Sequence, residues 1–207
     1  MERKLIIPYN FIHLNAVRRC AVIIFTFLLQ HSYAQHSSAV KQGMDYDSLI
    51  KAREEKAVGK KFSAFSALYK NNIFSNKDLN GKIVFANFWF AACPPCMEEM
   101  AALNELYDSL KSKPNFEFIS FTYEKQGIID SVAKAYNIKY KILSVTQQDC
   151  YRLNQNNGFP TSIIINARGN IKLLKTAGFS EKELNRNTMF RLFYPKLLHA
   201  LKAKLYY

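Results

Sequence analysis

Residues 82–110 read KIVFANFWFAACPPCMEEMAALNELYDSL, and the fold turns on them. Lys82 to Trp89 is a continuous β-prone apolar run, which predicts a central strand buried on both faces. Met97 to Leu110 sets Met100, Leu103, Leu106 or Tyr107, and Leu110 on one stripe, which predicts a helix with one face against a core. Between strand and helix stand Cys93 and Cys96, two residues apart, enclosing Pro94 and Pro95. Cysteines so spaced can hold a metal, form an inert staple, or trade electrons with another disulfide. Asn80-Gly81 marks the turn before the strand, and Pro114-Asn115 ends the helix.

Working outward, Asp45 to Ala57 reads as a short helix leading in. Phe62, Phe65 and Leu68 suggest irregular or strand structure after Gly59. Strands are expected at Phe116–Tyr123, Lys141–Val145, Ser162–Asn166 and Ile171–Thr176. The last two form a hairpin about Ala167-Arg168-Gly169-Asn170. Helices are expected at Ile128–Tyr136 and Glu181–Lys204, with a loop at Gly158–Thr161. This order predicts an α/β fold, a central mixed sheet flanked by helices, parallel in one part and antiparallel at one end.

The 207 residues suit one domain with extensions, and 49% hydrophobic with 14% aromatic content is ample for a core. Arg18 and Arg19 precede the apolar run Ala21–Leu29, and Ser32-Tyr33-Ala34 offers the small residues of a cleavage site. Residues 1–34 therefore read as a secretory signal peptide, or as an uncleaved N-terminal anchor. The apolar run is shorter than the roughly 20 residues a spanning helix needs. Cys20 lies before that run, where no lipid would be attached. Residues 35–57 form an N-terminal extension and 58–207 the main domain. The net charge of +13 falls to +10 if cleavage after Ala34 removes Glu2, Arg3, Lys4, Arg18 and Arg19. The basic residues are scattered rather than interleaved with aromatics, so they read as a solvated surface, and nothing matches a nucleic-acid module. Export implies an oxidising compartment.

A CxxC that ends a buried strand and opens a helix is the thioredoxin arrangement. NFW…CPPC at Asn87 to Cys96, FPT at Phe159 to Thr161, and the hairpin IIINARGNI together resemble the TlpA/ResA-type thiol–disulfide oxidoreductases of the thioredoxin superfamily. The resemblance covers roughly residues 58–180. It implies a thioredoxin fold, export to the periplasm, protein thiols and disulfides as partners, a membrane redox partner, and no bound cofactor or metal. A reductant role, as in cytochrome c maturation, is the one it favours. Two positions depart from the pattern. Ala92 stands where relatives carry Trp, and Ala101 where many carry Pro, so the helix should be less kinked.

The resemblance assigns Cys93 as the attacking thiol, its pKa lowered at the helix N-terminus, and Cys96 as the resolving thiol. Glu99, three residues after Cys96 and on the same helix face, is the candidate proton-transfer group. Asn87 replaces the strand Asp of thioredoxins. Ala92, Pro94, Pro95, Phe159, Pro160 and Thr161 are the candidate partner-binding residues, with Pro160 cis. The rival chemistries each lack a residue. Structural zinc needs four ligands, and beyond the pair only Cys150 remains, with His13, His31, His36 and His199 at unpaired spacings. A peroxiredoxin wants Thr or Ser where Phe90 stands. A Sco-like copper module wants a histidine near the loop, and only His199 follows the CxxC. A redox-inert interaction module would not need the intact pair. Cys150 is expected to be buried and inert.

Overall fold

The computed structural model describes residues 47–70, 72–176, 178, 179 and 181–204. Two compact units divide the chain, residues 1–49 and 50–207. The signal or anchor reading, Cys20 and the polar stretch Gln35–Gly43 lie outside the described residues.

Helix α1 covers 47–57. A hairpin of β1 (Ser66–Tyr69) and β2 (Asn72–Ser75) follows, then a 3₁₀ turn at Asn76–Leu79 and β3 (Ile83–Phe88). Next come α2 (Pro94–Leu110), β4 (Phe116–Thr122), α3 (Gln126–Ala135), β5 (Lys141–Ser144) and α4 (Gln147–Leu153). The chain closes with β6 (Thr161–Ile165), β7 (Ile171–Thr176), α5 (Lys182–Thr188) and α6 (Tyr194–Lys204). One sheet runs in the order β2-β1-β5-β4-β3-β6-β7. Strands β3, β4 and β5 are parallel, whereas β6 and β7 continue antiparallel from β3.

Strand β3 is buried along its whole length, as a strand covered on both faces must be. Its side chains alternate. Val84, Ala86 and Phe88 join Phe121, Ile163, Ile165, Cys150 and Leu153 in one core. Ile83 and Phe85 point the other way, to a second core with Met100, Leu103, Leu106 and Leu110 of α2. The helical stripe read from the sequence is therefore the face α2 buries. Tyr107, its alternative, is half-buried and meets Phe118 edge-on at 5.7 Å between centroids.

Three elements differ from expectation. Strand β1 falls where Leu68 suggested strand structure, but its hairpin partner β2 was not expected; the pair sets Leu68 opposite Ile73, and both are exposed. Helix α4 fills a stretch for which the sequence predicts no element. The closing segment is not one regular α-helix, because Met189–Phe193 takes a π-helical course between α5 and α6.

Candidate functional site: the cysteine pair and the buried acid beneath it

Cys93 is the N-cap of α2, with extended backbone, and its Sγ accepts the Cys96 N–H at 3.3 Å. Pro94 and Pro95 fill the first two helical positions, where backbone N–H groups have no intrahelical partner and proline loses nothing. The first N–H the helix presents is thus shared between the Cys93 carbonyl, at 3.0 Å, and the Cys93 sulfur. Cys93 and Cys96 are joined in a disulfide, with Cα atoms 5.3 Å apart. Both are buried, while Ala92 and Pro94 are exposed and Pro95 is half-buried. The oxidised pair therefore lies just under a small apolar rim. Trp89, the last aromatic of the apolar run's strand end, is fully buried and belongs to the core rather than to that rim.

One turn into α2, Glu99 is 1% exposed. It faces a polar row across three strands. The register aligns Asn87 of β3 with Ser120 of β4 on one side and Ser162 of β6 on the other, all three buried. Asn87 Nδ2 donates to Glu99 Oε1 at 2.8 Å and to Ser162 Oγ at 3.2 Å. Burial pushes the Glu99 carboxyl up to about 8, and the Asn87 hydrogen bond pulls back against it. Tyr140, also buried, is held well above the usual phenol range by burial and then by the charge of Glu99. Among the described residues Asn87 Oδ1 and Ser120 Oγ have no partner. Each such group costs about 1–3 kcal/mol. The polar row keeps a titratable carboxyl three residues from Cys96 on the same helix.

The second wall is the loop before β6. The Phe159–Pro160 bond is cis. Asn154 and Asn157 brace the entry to this loop through reciprocal side-chain-to-backbone bonds. Phe159 meets Phe90 and Tyr151 edge-on, each at 5.3 Å, and Tyr123 at 6.1 Å, which makes an aromatic flank beside the pair. Thr161 is fully buried, and its hydroxyl is used inside the loop, donating to the Gly158 carbonyl at 2.7 Å and meeting Thr176 Oγ1 at 3.1 Å. Thr176 in turn donates its N–H to Glu54 of α1 at 2.7 Å.

Gly178 sits between the two walls. A Cβ there would come within 2.6 Å of Pro160 Cγ and 2.8 Å of Pro95 Cβ, both ring atoms that cannot swing away. Gly178→Ala is therefore expected to cost about 1–3 kcal/mol as overpacking. It should also slow exchange by spreading the prolines. Thermal unfolding and an insulin-reduction rate check this, and wild-type values of both would refute the wedge.

The sequence reading missed Glu124, Glu54, Ser120, Ser162 and Gly178. Glu124 Oε1 accepts the Ala91 N–H at 2.7 Å and so fixes the loop that delivers Cys93. Its one signal was an acid directly after the strand expected at Phe116–Tyr123. Cys150 lies in the core on the opposite side of the sheet from the pair. It is fully buried, and burial pushes its thiol up to about 12. His199 is exposed on α6, and among the described residues no group of three His, Cys, Asp or Glu side chains is placed to hold a metal.

The ResA thiol–disulfide oxidoreductase of a Bacillus cereus strain is 29% identical over 140 residues, 67% of this chain and 80% of that protein. That of Halalkalibacterium halodurans is 31% identical over 110 residues, 51% of this chain and 60% of its own length. Among solved structures, a thiol:disulfide interchange protein of the thioredoxin family from Chlorobium tepidum TLS superposes with a TM-score of 0.55 at 24% identity. That match covers 70% of this chain and 98% of the other, and it establishes the shared fold. Residues 58–174 match the AhpC/TSA family, a span of more than half the chain that takes in both Cys93–Cys96 and Pro160, and the chain belongs to that family.

Proposed function

We propose that this thiol–disulfide oxidoreductase works outside the cytoplasm as a reductant of protein disulfides, with Cys93 attacking, Cys96 resolving and Glu99 moving the proton. The observation that carries the reading is the Cys93–Cys96 disulfide at a helix N-terminus with a buried, elevated carboxyl on the same helix face. In the reduced protein the Cys93 thiolate attacks one sulfur of a partner disulfide. A mixed disulfide forms and the first partner thiolate leaves. Glu99, ionised, then takes the proton of Cys96. The Cys96 thiolate attacks Cys93 Sγ, the internal disulfide closes, and the second partner thiol leaves. Two electrons have passed to the partner.

Ala92, Pro94, Pro95, Phe159 and Pro160 would receive the partner chain, with Thr161 shaping the loop from within. The chemistry needs no bound cofactor. Re-reduction falls to a redox partner in the membrane, and a cytochrome c maturation role fits this direction. Residues 1–34 serve as leader or anchor, 35–57 as an extension and 58–207 as the catalytic domain. The test is the reduction potential of the Cys93–Cys96 pair in a redox buffer. A value near about −270 mV supports the reductant direction, and one near about −120 mV reverses it.

A further inference from the structure

Away from the cysteine pair, a cavity of about 490 Å³ opens between α1 and the end of α4. Arg53, Lys56, Lys60 and Arg152 line it, together with the neutral donors Ser63, Gln155 and Asn156, and no carboxylate does. Among the described residues no acidic side chain forms an ion pair with Arg53, Lys56 or Lys60; the described ion pairs join other lysines and arginines. Three cations with no ion-pair partner among the described residues, gathered beside a fourth, repel one another, and an anion at the cavity mouth would relieve that repulsion.

The far wall is held rigid. The Arg152 guanidinium is fixed by Asp149 at 2.7 Å and by the Ala64 carbonyl at 2.9 Å. Gln155 and Asn156 both adopt left-handed backbone, φ 62° and 56°, inside the turn that buried Asn154 and Asn157 lock. Two successive non-glycine residues in that region are strained. The turn thus presents a guanidinium and two side-chain amides at the same mouth, with little ordering left to occur on binding.

We infer that this cavity binds the phosphate groups of an anion, either a soluble diphosphate or the headgroup of an anionic phospholipid. The Arg53 guanidinium suits bidentate contact with phosphate oxygens, while Arg152, whose Nε and one terminal nitrogen are taken by Asp149 and the Ala64 carbonyl, offers its other terminal nitrogen. The lysines add charge that needs no fixed geometry, and the volume matches a small-molecule site. Neutral peptides would leave the cations unsatisfied, and a monocarboxylate would answer only one of them. The site shares no residue with the cysteine centre, so its occupancy does not depend on redox activity.

The probes are sodium pyrophosphate, followed by calorimetry on the full chain, and vesicles of phosphatidylcholine with or without phosphatidylglycerol, followed by co-sedimentation. Saturable one-to-one pyrophosphate binding is expected, weakened at least tenfold in Arg53→Gln/Lys56→Gln/Lys60→Gln. These side chains are exposed, so the variant should fold. A control with the same charge loss elsewhere, Lys134→Gln/Lys172→Gln/Lys196→Gln, should stay within twofold of wild type. Pyrophosphate binding alone identifies a soluble ligand. Sedimentation that needs phosphatidylglycerol and is lost in the cavity variant identifies a headgroup. Neither probe binding overturns the inference, and so does an equal loss in both variants, which would mean diffuse surface charge.

Discussion

Cys93→Ser is expected to bring disulfide exchange down to the uncatalysed rate, and Cys96→Ser to accumulate mixed disulfides with partner proteins. The two outcomes differ because the proposed mechanism gives the thiols different tasks. Cys93, capping α2, accepts at its sulfur an N–H, that of Cys96, which it shares with its own carbonyl. That contact and the helix dipole stabilise its thiolate, the species that attacks. Cys96 is wholly buried in the oxidised form and reaches only Cys93. Without it the first covalent adduct has no internal exit and persists. Cys150 is no substitute, since it lies across the sheet with its thiol pushed up to about 12. Insulin turbidity measures the first outcome, and non-reducing electrophoresis after acid quench measures the second. An active Cys93→Ser protein, or a Cys96→Ser protein that traps nothing, would exchange the two roles or remove them.

Glu99→Gln should stabilise the oxidised protein at neutral and alkaline pH and leave it unchanged near pH 4.5. In the folded chain the carboxyl titrates at about 8, against 4.5 as the ordinary value. Between those values the folded state holds a proton the unfolded state has released. Stability therefore falls as pH rises through this window and levels off above pH 8. By pH 7 the deficit is on the order of 3 kcal/mol. Glutamine keeps the shape and can still accept from Asn87, but it has no proton to lose. Urea midpoints for wild type and variant should coincide at pH 4.5 and diverge steadily to pH 8. Parallel curves would mean that Glu99 is not buried as a titrating group. In the reduced protein an ionised Glu99 opposes a neighbouring thiolate, so the same substitution should lower the apparent cysteine pKa, read by alkylation rate against pH. The groups titrate as a coupled set, and the shift belongs to the set. Glu98→Gln, altering a half-buried side chain on the same turn, is the control.

The strand–CxxC–helix unit was legible because its signals are local and redundant. Ile83–Phe88 is apolar but for Asn87 and buried throughout, and the α2 stripe recurs over about three turns. Four-residue strands at the sheet edge gave no such signal, since Leu68 and Ile73 leave their apolar side chains in solvent. Helix α4 buries only Cys150 and Leu153 in two turns, too few for a period to show. The same contrast holds within the site. Cys93, Cys96 and Glu99 lie within seven residues and could be read together. Ser120 and Ser162 meet Asn87 only through strand register, and Glu124 meets Ala91 only because β3 and β4 end side by side. Gly178 is legible only once Pro95 and Pro160 are seen to close on it.

Cys150 gives the protein a clock as well as an inert thiol. A maleimide or iodoacetamide molecule can reach it only when α4 lifts from the sheet or the whole domain opens, because the closed state shows no surface of that residue. Its labelling rate is then the opening equilibrium multiplied by the reagent's rate on a free thiol. The reduced pair, by contrast, reacts at a rate set by its own acidity. In protein lacking residues 1–34, and so Cys20, two thiols count electrons and a third counts excursions from the native state. A single quenched sample, resolved by mass, would report how reduced this protein is and how intact it is, on separate scales.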